Sequence, residues 1–209
     1  MKNIVKIALG ATAVAAVAGA GVAIPAIVSA WGDNGGGRPS YTIDQINDGV
    51  LGDKIVFNSI SNSVIGDEKN FVGAREDTGI NAGIDNVWDG NEINVEEGKT
   101  YLVRLYVHNN SPKGEEKIAK DVTTTFSVPG TTGKSVEVNG YISSSNATPS
   151  EYWDYVTFKS DRNFYLDYVE GSALLENNGV GANGGVKLSD NIISSNGVKI
   201  GYKSLNGQQ

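Results

Sequence analysis

The stretch YLVRLYVHN, residues 101–109, decides the fold class of this chain. Large apolar residues recur there at every second position, whereas a surface helix would repeat them every three to four residues. Side chains two apart in a strand share a face, so the pattern predicts a strand with one side in a core and a mixed side facing outward. The core-facing set is Tyr101, Val103, Leu105 and Val107, and the outward set is Leu102, Arg104, Tyr106 and His108.

Short β-rich runs separated by Gly, Asn, Asp and Pro surround this strand, and the only helical signal is one turn over 44–50. Strands with turns at this spacing predict a β-sandwich or barrel. A turn over 160–163 divides two aromatic-rich strands. The predicted strands are 54–58, 70–74, 92–95, 101–109, 119–128, 134–142, 152–158, 164–169, 172–175, 186–188 and 198–202. The predicted core comprises Phe57, Leu105, Val107, Val122, Phe126, Val138, Val156 and Leu166.

Several motifs follow one another in a recognisable order. Gly98-Lys99-Thr100-Tyr101 enters the central strand, Ala119-Lys120-Asp121-Val122 enters a strand that ends at Pro129, and Tyr168-Val169-Glu170-Gly171-Ser172-Ala173 follows later. From about Glu92 to about Gly201 the chain resembles the conserved-repeat domain of prokaryotic surface proteins, a domain of unknown function. The resemblance implies an immunoglobulin-like antiparallel β-sandwich of the kind found along cell-wall or S-layer proteins. It implies no catalytic residue.

The N-terminus has the layout of a secretory signal. Residues 1–6 are basic, 7–24 are apolar or small, and Val28-Ser29-Ala30 offers small residues where a signal peptidase cleaves. This predicts a mature protein that begins near Trp31 and works outside the cell or on its surface. The alternative is a retained anchor, since 7–28 is long enough to span a bilayer.

The sequence therefore divides into four parts. Residues 1–30 form the signal peptide and 31–40 a Gly-rich spacer, while 41–90 supply N-terminal strands and loops of the sandwich or a small appendage. Residues 91–209 form the conserved-repeat-like sandwich. The resembling family has one more strand after the segment matching 197–201, whereas 204–209 has a turn composition. The missing strand indicates either a truncated gene product or an open sheet edge for self-association or for a neighbouring surface protein, unless residues 41–58 cover that edge.

Charge and composition exclude several partners. The net charge is −7, and removal of the two lysines in residues 1–6 leaves −9 on the mature chain. Nucleic acid and anionic lipid both require clustered Lys and Arg, so we expect neither as a partner beyond the signal segment. The chain has no cysteine and one histidine, which rules out disulfides and leaves no ligand set for structural zinc.

One acidic loop has the composition of a calcium site. Within DNVWDGNE, residues 85–92, the oxygen ligands would be Asp85, Asp89 and Asn91, because Ca²⁺ takes six to eight oxygens. Nearby loops could add Asp67, Glu68 and Asp77. The competing interpretation is an Asx-rich turn that leads into the next strand. No other cofactor is expected.

These features predict an exported, non-catalytic structural or adhesive β-module. The first alternative is a carbohydrate-binding module whose exposed aromatics, Trp88, Tyr152, Trp153 and Tyr155, stack on sugar rings. The second alternative is a secreted hydrolase with a carboxylate pair such as Asp121 and Glu151. The sequence contains no recognisable nucleophile motif, and His108 falls on the outward side of its strand.

Overall fold

The computed structural model describes the backbone of residues 3–9 and all atoms of 38–79, 91–111, 117–176 and 186–201. About 45% is strand and 7% helix, so the predicted all-β class is confirmed. The strands are β1 (Asn3–Leu9), β2 (Val72–Glu76), β3 (Glu92–Asn94), β4 (Thr100–Leu105), β5 (Thr123–Ser127), β6 (Gly133–Ser143), β7 (Glu151–Tyr168), β8 (Leu174–Leu175), β9 (Val186–Lys187) and β10 (Val198–Lys199). The helical elements are α1 (Ile43–Asn47) and a 3₁₀ turn at Asp190–Ile193.

The strand order of the main sheet is β10-β5-β6-β7-β1-β4-β2. One more strand, β3, pairs with residues 157–159 of β7 and has no place in this linear order. The prediction of a wholly antiparallel sheet was wrong, because β1 is parallel to both β4 and β7 and β3 is parallel to β7. The sheet curls over itself. A methyl group built on Gly140 of β6 would lie 2.7 Å from Val72 Cγ2 of β2 and 2.9 Å from Leu105 Cδ1 of β4. β6 therefore packs face to face against β2 and β4.

The predicted turn at 160–163 does not form. β7 continues through it as one strand of 18 residues. Its first half pairs with β6 and β3, and its second half, from Phe164, pairs with β1. Asp161, Arg162 and Asn163 are exposed, whereas Phe164 is buried again. The polar residues therefore lie where β7 changes its pairing partners from β6 and β3 to β1, and the chain does not reverse direction there.

One apolar cluster fills the space between the sheet layers, and the predicted alternation over residues 101–107 is confirmed there. Seven of the eight predicted core residues are buried, and Val122 is partly buried against them. Arg104, expected to face outward, is only 9% exposed and therefore counts as buried. A smaller cluster of Ile46, Leu51, Val56 and Ile60 lies beside α1, which begins with a capping box between Thr42 and Gln45.

The central strand ends at Leu105, four residues earlier than predicted. Beyond Leu105 the side chain of Asn58 takes part in the pairing of this backbone, since its Nδ2 donates to Tyr106 O and its Oδ1 accepts from His108 N, both at 2.6 Å. Side-chain bonds thus alternate there with main-chain bonds, because Tyr106 N donates to Phe71 O at 2.9 Å and Asn58 N donates to His108 O at 3.0 Å. The predicted strand 54–58 is likewise reduced to isolated bridges at Ile55 and Phe57.

The predicted signal peptide lies at the N-terminal end of the chain, and the predicted open sheet edge depends on its C-terminal end. Residues 3–9, expected in the signal peptide, form β1, while 10–37 and the turn-like tail 204–209 lie outside the described residues. Within the part of the chain that the structure describes, no helix is long and apolar enough to cross a membrane.

Candidate functional site

Three aromatic side chains lie in one row on the outer face of β6 and β7. Tyr141 pairs with Trp153 across the two strands, with ring centroids 6.5 Å apart and planes inclined by 30°. Tyr155 follows two positions along β7, and its ring lies 6.3 Å from that of Trp153. Alternate residues of a strand share a face, so all three rings lie opposite the core. We call this row, Tyr141, Trp153 and Tyr155, the aromatic ladder.

Polar side chains border the aromatic ladder. Asn139 Nδ2 donates to Glu137 Oε1 at 3.1 Å, and Glu151 begins β7 next to Trp153. Burial raises the pKa of Tyr141, and the charges of Glu151 and Glu137 raise it further. Burial also raises the pKa of Glu151. Partly exposed rings beside hydrogen-bonding groups form a surface that can pack against a ligand and orient it.

Of the aromatics predicted to stack on sugars, Trp153 and Tyr155 lie in the aromatic ladder. Tyr152 is fully buried, in edge contact with Phe57 at 5.5 Å, and its hydroxyl donates to Thr148 O. Its prediction as an exposed aromatic was therefore wrong, because it faces the core side of β7. Trp88 lies outside the described residues. Tyr141 was not predicted as a stacking residue, since its place beside Trp153 depends on the register between β6 and β7.

A buried carboxylate lies on the opposite side of β7 from the aromatic ladder. Asp154 is fully buried, and its Oδ2 accepts from Val72 N at 2.7 Å. Burial raises the pKa of Asp154 to about 6, although hydrogen bonds from backbone N–H groups and the charge of Arg38 act in the opposite direction. This carboxylate ties β2 to β7 inside the core, away from any exposed surface.

Arg38 completes this buried polar group. Its guanidinium lies 5.1 Å from the ring centre of Phe71 and 5.2 Å from that of Tyr152, and it donates to Asn58 O. Burial lowers its pKa to about 10. A guanidinium between two aromatic rings is a cation–π arrangement, which offsets part of the cost of burial. Arg38 lies within the predicted Gly-rich spacer 31–40, and it is buried there as a structural anchor.

A second polar cluster surrounds the single histidine. His108 Nδ1 lies 2.9 Å from Glu68 Oε1, and Asn110 Nδ2 donates to Glu68 Oε2 at 2.8 Å. The Glu68 side chain is 1% exposed and that of His108 is 42% exposed. A buried carboxylate that orients a half-exposed imidazole supplies two of the three members of a catalytic triad, and the third would be a nucleophile. Among the described residues, the hydrogen-bond partners of this ring are Glu68 and Asn110, so the geometry supplies no nucleophile.

The calcium prediction falls mostly on residues that the structure does not describe. Asp85 and Asp89 lie outside the described residues, and Asn91 directs its Nδ2 toward Asp154 Oδ1 at 3.4 Å. Asp67 Oδ1 accepts a hydrogen bond from Lys69 N, and Asp77 Oδ1 accepts one from Gly79 N, both at 3.0 Å. Within the described ranges, no group of three or more acidic or histidine side chains could hold a metal ion. The ligand set stays a prediction.

The carboxylates considered for a hydrolase have separate surroundings. Asp121 Oδ1 lies 2.7 Å from Lys199 Nζ, and Asp121 Oδ2 accepts from Ser145 Oγ at 3.0 Å. The hydrogen bond from Lys199 lowers the pKa of Asp121, whereas burial raises that of Glu151 beside the aromatic ladder. Asp121 thus forms an ion pair that anchors β10 to the turn before β5. Glu151 lies at the border of the aromatic ladder.

Comparison of the chain with protein-family models, with curated proteins and with solved structures found no match in any of the three. The resemblance to the conserved-repeat surface domain stays a prediction.

Proposed function

We propose that this chain is an exported, non-catalytic module of the bacterial cell surface that works by adhesive contact, with the aromatic ladder as its contact surface. One observation carries the proposal, namely a row of three partly exposed rings with centroids 6.3 and 6.5 Å apart. The rings stand on two strands that pair over residues 135–143 and 151–159, so the surface is held rigidly. Rigid aromatic side chains give a large contact area at a low cost in conformational entropy.

Binding to cell-wall fragments tests the contact surface. We expect Trp153→Ala to weaken binding of the mature protein to immobilised bacterial cell-wall fragments by about 10-fold or more, as loss of a central aromatic contact does. The matched control is Trp153→Phe, which keeps an aromatic ring and removes an indole N–H that is buried without a partner among the described residues. Equal binding by Trp153→Ala and the unaltered protein would remove the aromatic ladder from the proposal.

A carbohydrate-binding module is the second candidate, and the polar border of the aromatic ladder favours it. Glu137, Asn139 and Glu151 supply acceptors and a donor next to the rings, which is the combination that sugar hydroxyls and C–H faces require. A glycan array separates the two candidates. Retention of defined oligosaccharides that Trp153→Ala abolishes supports sugar binding, whereas an empty array with intact cell-wall binding supports adhesion to another component.

Export is tested at the N-terminus. We expect the mature protein recovered from outside the cell to begin at or next to Trp31, because the small residues that end at Ala30 form the cleavage site. Sequencing the N-terminus of extracellular and membrane fractions measures this. Recovery of the full-length chain in the membrane alone would contradict cleavage and favour a retained anchor.

A further inference from the structure

The strand β1 occupies a slot in the middle of the main sheet. It pairs in parallel with β7 from Asn3 opposite Phe164 to Ile7 opposite Tyr168. On its other side it pairs in parallel with β4 from Lys6 opposite Thr100 to Leu9 opposite Val103. Both neighbours therefore direct main-chain hydrogen-bonding groups toward one inserted strand.

The same strand belongs to the segment that the sequence marks for removal. Cleavage after Ala30 separates β1 from the rest of the protein and leaves β4 paired with β2 alone. The segment Phe164–Tyr168 of β7 then loses its partner over its whole length, apart from the single pair of Phe164 with Gly133. Buried N–H and C=O groups without partners are costly, so the empty slot requires a replacement strand. The slot is bordered by the buried residues Tyr101, Val103, Phe164 and Leu166.

We infer that the slot between β4 and β7 is a strand-acceptor groove, filled by β1 before processing and by a segment of a second copy of this chain afterwards. This inference rests on the export part of the proposed function, because only cleavage vacates the groove. Strand addition derives its affinity from main-chain hydrogen bonds on both sides, so the donor need not share the sequence of β1. It differs from the edge predicted at 204–209, since the groove lies inside the sheet.

The donor must be extended, about five residues long and outside its own sheet. The stretches 31–37 and 202–209 flank the part of the mature sequence that the structure describes. Four of the seven residues in 31–37 are glycine, which weakens a strand. Tyr202-Lys203-Ser204-Leu205-Asn206 contains no glycine or proline and matches the five-residue pairing of β1 with β7. In its own chain this segment follows β10, which is four places from β1 in the strand order of the sheet. We therefore assign the donor to Tyr202–Asn206 of the second copy.

Cleavage of the folded chain tests the groove. The full chain receives a site-specific protease sequence within the spacer 31–37, is folded, and is then cut, while mass spectrometry follows the leader and sedimentation follows the size of the remaining body. We expect the body to self-associate more strongly as its concentration rises once the leader dissociates. A synthetic Asn3–Leu9 peptide added in excess should return it to a monomer. A body that stays monomeric with its leader gone overturns the inference.

Matched variants identify the donor and the acceptor. The peptide with Val5→Pro lacks one N–H and fits a strand poorly, so it should leave the association unchanged. The body with Leu205→Pro should bind the unaltered peptide and fail to associate. Association by Leu205→Pro at the unaltered strength overturns the second-copy donor. If the body unfolds on cleavage, recovery of its β circular-dichroism signal with the peptide supports the groove, and no recovery overturns it.

These readouts are independent of the aromatic ladder and of export in the cell. Trp153→Ala should assemble as the unaltered chain does, so loss of adhesion leaves the groove intact. Recovery of an uncleaved N-terminus from cells would contradict cleavage, and with it the vacated groove in the cell. Failure of assembly after cleavage in the test tube would overturn the groove while export and adhesion stand.

Discussion

Replacing Phe158 by Ala should lower the free energy of unfolding by about 3–5 kcal/mol, the range for loss of a buried Phe from a core. The side chain is fully buried, and its ring meets that of Tyr101 edge-on at 6.1 Å. Phe158 also lies opposite Val136 of β6 and Ile93 of β3. Phe158 is thus flanked within the sheet by these two residues and packed against Tyr101 of β4. The free energy of unfolding of a native domain is only about 5–15 kcal/mol in total, so this loss is a large part of it.

Tyr155→Ala is the matched control for this experiment. It removes a ring of similar size from the same strand, three positions earlier and on the outer face, where truncation should cost about 1 kcal/mol or less. Denaturant unfolding of the full chain at constant temperature measures both variants, provided the slope of the transition is unchanged. Equal losses at the two positions would contradict the assignment of the inner and outer faces of β7.

The inner faces of the strands could be predicted because they follow from alternation within short segments. Tyr101, Val103 and Leu105 are buried as the two-residue period requires, and Gly98, which precedes this strand, has a positive φ of 81° that suits glycine in a turn. The polar run 160–163 misled the prediction, since its turn composition is equally compatible with an exposed part of a continuous strand. Only the partners on either side, which are remote in sequence, decide between the two.

The candidate site was less predictable because it depends on register and on long-range pairing. Tyr141 joins Trp153 only through the alignment of β6 with β7, which the sequence does not specify. Glu68 and His108 are 40 residues apart, and an acid beside a turn gives no sign that it will be 1% exposed beneath a histidine. The parallel insertion of β1 was hidden for another reason, since its residues also fit a secretion signal.

Protonation of Asp154 should produce a large pH effect on stability between acidic and neutral pH. Burial raises its folded-state pKa from 3.8 to about 6, so the folded protein binds this proton more tightly than the unfolded chain does. Stability from this group is therefore present at low pH and is lost as pH rises from about 4 through about 6. A pKa difference of this size corresponds to about 3 kcal/mol, reached in full near pH 7.

Asp154→Asn isolates this contribution, because the amide stays neutral at every pH and its oxygen can still accept from Val72 N. Carboxylates with pKa values shifted elsewhere, such as Glu151 and Asp121, titrate in both proteins and cancel in the difference. The unfolding free energy of Asp154→Asn relative to the unaltered protein should rise by about 3 kcal/mol between pH 4 and pH 7.

Asp154→Ala is the control for the hydrogen bond. Its side chain is neutral, like that of Asp154→Asn, but it leaves Val72 N without its acceptor. It should therefore be less stable than Asp154→Asn at both pH 4 and pH 7. Parallel stability profiles for the unaltered protein and Asp154→Asn would show that Asp154 is ionised in the folded state at its ordinary pKa, and that water or a cation reaches the carboxylate inside the core.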